Sequence, residues 1–73
     1  MDELEAAVRV LEEQGEALHW TVIQDIALKR GYLDPFTGSD IRKRLLAALS
    51  AAARRADGPV VKTSTGVYAL RQG

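Results

Sequence analysis

Val60-Val61-Lys62-Thr63-Ser64-Thr65-Gly66-Val67-Tyr68-Ala69-Leu70 is the stretch on which the fold turns. Two runs rich in β-branched and aromatic residues, Val60 to Thr63 and Val67 to Leu70, flank a small glycine-containing turn, Ser64-Thr65-Gly66. That is the pattern of an antiparallel hairpin. Asp57-Gly58-Pro59, just upstream, ends whatever helix precedes it. Period-two alternation puts Tyr68 and Leu70 on one face, where they would pack inward against Ile41, Leu45 and the first helix.

Working towards the N-terminus, Ile41, Leu45, Ala48, Leu49 and Ala52 recur at helical spacing. They define a helix capped by Ser39 or Asp40 and running to about Ala56. Tyr32 to Gly38, with Asp34-Pro35 and Gly38, reads as a turn-rich connection whose Tyr32, Leu33 and Phe36 pack on the core. Before it, Thr21 and Gln24 have the form of a capping box. The helix so opened carries Ile23, Ile26 and Ala27 inward, sets Lys29 and Arg30 at its negative end and stops at Gly31. Ala17-Leu18-His19-Trp20 is too short for a helix and reads as a strand of two or three residues. Leu4, Ala7, Val8 and Leu11, at i, i+3, i+4 and i+7, make residues 2 to 14 an amphipathic helix ended by Gly15.

The order is therefore helix, short strand, helix, loop, helix, hairpin, with no internal repeat. This is the order of a winged helix-turn-helix: α+β, mainly α, with three helices, a short strand after helix 1 and a C-terminal two-stranded wing. Seventy-three residues are room for one such domain, spanning 1–73, and for one core. The chain has no cysteine, so neither disulfides nor thiolate chemistry contributes. There is no membrane-spanning apolar run and no secretory pattern, which places the expected compartment in the cytoplasm, nucleoid-associated, or in the nucleus.

The wording of the chain also resembles a known family. Ala6-Ala7-Val8-Arg9-Val10-Leu11, Leu18-His19-Trp20-Thr21 with Ile23, and Gly66-Val67-Tyr68-Ala69-Leu70-Arg71 are similar to the HARE-HTH domains. Those winged-helix modules occur in Asx-like chromatin proteins, in homeodomain and restriction-endonuclease fusions and, divergently, in the delta subunit of bacterial RNA polymerase. The resemblance covers nearly the whole chain and implies a module of transcription regulation, chromatin or restriction-modification. Thr37-Gly38-Ser39-Asp40 stands where the family usually has Gly and Thr-Pro ahead of the third helix.

Catalysis finds no residues to stand on. His19 is the single histidine, without the partners a triad or a metal site needs, and reads as a structural imidazole beside Trp20. Glu12 and Glu13 lie on a solvated helix face, and no phosphate-cradling glycine motif appears. We expect no enzyme activity, cofactor, metal or small-molecule substrate. The charges are more informative: residues 1 to 25 carry seven acids and one base, and residues 26 to 73 carry nine bases and three acids, although the net charge is zero.

Arg42, Lys43 and Arg44 crowd the start of the third helix, where they oppose its dipole. At 100° per residue, Lys43, Ala47, Ser50 and Arg54 fall on the outward line. In a helix-turn-helix that line faces the major groove, so double-stranded DNA is the expected partner through Arg42, Lys43, Arg44, Ser50 and Arg54. The hairpin residues Lys62, Thr63, Ser64 and Thr65 would contact phosphates. The alternative is a protein partner, met through the acidic helix 1 or the alanine-lined helix 3, as in a complex of the RNA polymerase delta kind. Salt separates the two, because a phosphate-based complex weakens steeply with ionic strength.

Overall fold

Every helix but the last begins or ends on a backbone device that the residues on the spot supply. In the computed structural model, which describes residues 1–35 and 40–72, Asp2 caps the first helix, α1 (Glu3–Gln14), its carboxylate accepting the Glu5 N–H at 2.8 Å. Gly15 closes α1 with φ +70° and donates to the Leu11 carbonyl at 2.9 Å. A two-residue strand, β1 (Leu18–His19), leads directly into α2 (Trp20–Lys29). Gly31, with φ +76°, then turns the chain so that the Tyr32 N–H donates back to the Ala27 carbonyl at 2.9 Å. α3 spans Ile41–Arg54, and β2 (Val60–Ser64) and β3 (Val67–Leu70) form the hairpin.

The short strand and the hairpin join in one three-stranded sheet. Its order is β1-β3-β2, all antiparallel, with Leu18 opposite Tyr68 and Val60 opposite Leu70. The architecture is α+β, mainly helical, and compatible with a winged helix-turn-helix. One core serves all of it. Ala6, Ala7, Val10 and Leu11 of α1 meet Ile23 and Ala27 of α2, Leu45, Leu49 and Ala52 of α3, and Val60, Tyr68 and Leu33. Tyr68 is buried as expected from its alternation, and Leu70 is packed against the same cluster while half-buried.

Four expectations are corrected. The buried stripe of α1 is Ala6, Ala7, Val10 and Leu11, so Ala7 and Leu11 are shared with the expected stripe while Leu4 and Val8 are left half-buried. Two alanines side by side let neighbouring helices approach closely, which the bulkier pair would not. α2 begins at Trp20, its cap two residues early, with His19 in place of Thr21. The reason is the sheet: pairing of His19 with Val67 holds His19 extended, and the Trp20 N–H is already bound to the Gly66 carbonyl at 2.9 Å. His19 Nδ1 accepts the Thr21 N–H at 3.3 Å and lies 2.8 Å from Thr21 Oγ1. Gln24, freed from any capping box, has its Oε1 buried without a partner among the described residues.

α3 ends at Arg54, not Ala56, because Gly58 folds back over its last turn. A Cβ on Gly58 would sit 2.1 Å from the Ala52 carbonyl oxygen, so only glycine fits there. β2 runs to Ser64, with a register shift between Lys62 and Ser64, and the turn shortens to Thr65-Gly66. Phe36 packing and a Ser39 cap, like Thr37 and Gly38, lie outside the described residues.

Leu45 is fully buried at the meeting point of α3 with the rest of the core. Leu45→Ala should cost about 2–5 kcal/mol, read as a lower urea midpoint; an unchanged midpoint would mean the core lies elsewhere. Gly66 offers a sharper check. Its φ of +74° and a virtual Cβ 2.7 Å from His19 Nε2 tie the hairpin turn to the α2 cap. Gly66→Ala should cost about 1–2 kcal/mol in backbone strain alone and displace the ring. His19→Ala, worth about 1 kcal/mol as a lost cap, should then cost less in the Gly66→Ala background than alone. Strict additivity in that double-mutant cycle would break the proposed link.

Candidate nucleic-acid interface

The charged residues of α3 are Arg42, Lys43, Arg44 and Arg54, and the helix contains no acid. Asp40, the residue before it, makes no side-chain capping bond, so the first-turn N–H groups of the helix receive no acceptor from its cap. Arg42, Lys43 and Arg54 are exposed, and no ion pair of the described residues involves them. Ala47 and Ala51, also exposed, lie between them, so the helix backbone is open to close approach.

The other two helix residues expected at the interface are engaged. Arg44 is turned onto α1, its Nε 3.0 Å from the Glu3 carboxylate. Ser50 is half-buried, with its hydroxyl 3.5 Å from that of Tyr68 on β3. The helical wheel placed Ser50 outward; the sheet covers that flank instead. Of the hairpin residues, Lys62, Thr63, Ser64 and Thr65 are all exposed on β2 and its turn, the strand that packs beside α3.

The acids sit with other partners. Glu12 is 4.0 Å from Arg9, Glu13 accepts a short hydrogen bond from the Tyr32 hydroxyl, and Asp25 pairs with Lys29 at 3.3 Å. The hydrogen bond to Glu13, helped by desolvation, holds the Tyr32 phenol above its ordinary pKa. Among the described residues none of these acids pairs with Arg42, Lys43 or Arg54, while Glu3 pairs with Arg44.

One residue that sequence reasoning passed over organises the end of α3. Arg71 donates from Nε to the Gly58 carbonyl at 2.7 Å and from its terminal nitrogen to the Arg55 carbonyl at 2.9 Å. It therefore supplies the positive charge that the helix C-terminus favours. Arg71 stands in the closing Gly66-Val67-Tyr68-Ala69-Leu70-Arg71 run, but only the fold reveals that it reaches back across the hairpin. Arg55, the extended residue that follows the helix, is exposed beside Arg54.

Among the described residues, no helix is long and apolar enough to cross a membrane, and no group of three or more His, Cys, Asp or Glu could hold a metal ion. The family model for HARE-HTH, described as a helix-turn-helix domain of ASXL proteins and restriction endonucleases among others, matches residues 1–72. No curated protein and no solved structure matches the chain.

Proposed function

The chain belongs to the HARE-HTH family, a helix-turn-helix family that is generally DNA-binding, and from that premise we propose that this domain binds double-stranded DNA with α3 in the major groove. The observation that carries the reading is a helix whose charges are all basic and whose Arg42, Lys43 and Arg54 are exposed and free of acidic partners among the described residues. Cations at a helix N-terminus cost the helix a few tenths of a kcal/mol each. A phosphate brought to that end reverses the sign, because it meets both the cations and the dipole.

Lys43 and Arg54 are eleven residues apart, about 16 Å along the axis at ~1.5 Å per residue. That separation lets the two reach phosphates on either side of a major groove ~12 Å wide. The hairpin adds Lys62, Thr63, Ser64 and Thr65 as phosphate contacts, with the hydroxyls as neutral donors. Arg44 reaches DNA only by leaving Glu3, and Ser50 only from beside Tyr68. Contacts of this kind favour backbone over base, so discrimination between sequences is weak. The module itself is non-catalytic and serves the cytoplasm, associated with the nucleoid, or the nucleus, within a transcription, chromatin or restriction-modification assembly.

Replacing Lys43 and Arg54 together with Ala should weaken binding to random duplexes and lower the log–log salt slope by roughly two. Circular dichroism should show the fold intact, since both face solvent and Ala is the better helix former. A folded double variant that binds as the parent does, with the same slope, sinks the reading. Glu3→Gln should do the opposite: with one acid fewer beside the basic helix, duplex affinity rises at low salt. The lost ion pair, partly exposed, should cost under about 1 kcal/mol of stability.

A further inference from the structure

Two apolar side chains of α1 pack only at the edge of the core. Ala6, Ala7, Val10 and Leu11 are sealed, while Leu4 and Val8, one step round the helix, stay half-buried. With Met1, which is 57% exposed, and with Pro59 after α3, they floor an open surface groove of about 310 Å³. Glu5, Arg9 and Glu12 form its rim. An apolar depression rimmed by charge is the surface form that marks a protein-docking site. None of the residues assigned above to DNA lines it.

The charges around the groove select the occupant. Residues 1 to 16 hold six acids against Arg9 alone. Arg9 is shared between the Tyr32 ring, whose centroid is 5.9 Å from its guanidinium, and Glu12 at 4.0 Å. Glu5 makes no ion pair among the described residues, and the Glu12 side chain is 58% exposed. With Glu5 and Glu12 against Arg9, the side chains of the rim carry a net negative charge, which favours a cationic partner over a phosphate. A second copy of this chain is a poor match: its cationic surface, the outward line of α3, presents only Ala47 and Ala51 between its bases and has no bulky side chain to fill the depression.

We propose that the groove docks an amphipathic helical segment of a partner protein. One or two bulky aliphatic side chains of that segment enter between Leu4, Val8 and Pro59, and lysines or arginines flanking them meet Glu5 and Glu12. This is helix-in-groove recognition, read as anchors at i, i+3 and i+4, and it leaves α3 available to DNA.

The test uses the full chain labelled with ¹⁵N and three synthetic helical peptides: leucines at i, i+3 and i+4 flanked by lysines, the same leucines flanked by glutamates, and the lysine peptide with its leucines changed to alanine. The leucine–lysine peptide should shift the amides of Leu4, Glu5, Val8 and Glu12 with a Kd of about 1 mM or tighter, and the two controls should not. Val8→Lys should weaken it about tenfold, a change of ~1.4 kcal/mol. Glu5→Lys combined with Glu12→Lys, both exposed, should weaken it similarly, and decides the matter should Val8→Lys fail to fold. Equal binding of the glutamate peptide, shifts confined to α3, or no shifts at about 1 mM overturns the proposal. So does a set of α1 shifts that depends on protein concentration without peptide, which would make the occupant a second copy.

Discussion

Three helices and a sheet share a single apolar cluster, and no polar or charged side chain is among the buried described residues. In a chain of this length there is no second cluster to hold any element that drops out. α3 lies at the centre of the arrangement: Leu45 and Leu49 are fully buried, and the helix packs against α1, α2 and β2. The outward line of α3 is consequently fixed by the inward one. A helix locked on three sides presents its remaining arc without rotational freedom, which is the condition for aiming Lys43 and Arg54 at a rigid partner.

Much of this was legible because local chemistry and tertiary demand agree. Gly15 and Gly31 end their helices where their left-handed backbones say they should. The hairpin announces itself through Gly66, and the inward stripe of α3 through Leu45, Leu49 and Ala52. Reading failed where two local answers were equally good. α1 has apolar residues on adjoining faces that share Ala7 and Leu11, and only the partner helices decide between Ala6 with Val10 and Leu4 with Val8. Thr21 is by type a better cap than His19, yet strand pairing begins the helix before Thr21 can serve. Glu3 with Arg44 and Arg71 with Gly58 are contacts across the chain, and no spacing rule in one sequence encodes them.

The same division holds for the candidate interface. Arg42, Lys43 and Arg54 are exposed as the helical wheel has them, because a surface arc is what remains once a stripe is buried. Arg44 and Ser50 lie on the borders of that arc, where a neighbouring element within reach captures the side chain. The two ends of α3 are also unlike. Its C-terminus is satisfied by the Arg71 guanidinium, whereas three cations crowd an N-terminus that already carries partial positive charge. Packing tolerates that frustration, since Leu45 and Leu49 hold the helix whatever its terminal charges do. Stability and anion affinity are thus supplied by different faces of one element.

The order of the strands has a consequence for how the domain comes into being. β3 is the middle strand of the sheet, paired on both sides, and with Arg71 it is the part of the domain that leaves the ribosome last. Until residues 67 to 71 emerge, β1 and β2 have nothing between them, the Gly66 carbonyl is not yet held against the Trp20 N–H, and the end of α3 is untied. A nascent chain therefore holds helical segments with their apolar sides uncovered and cannot settle piece by piece. Closure comes in one late, cooperative step, with long-range contacts setting its rate.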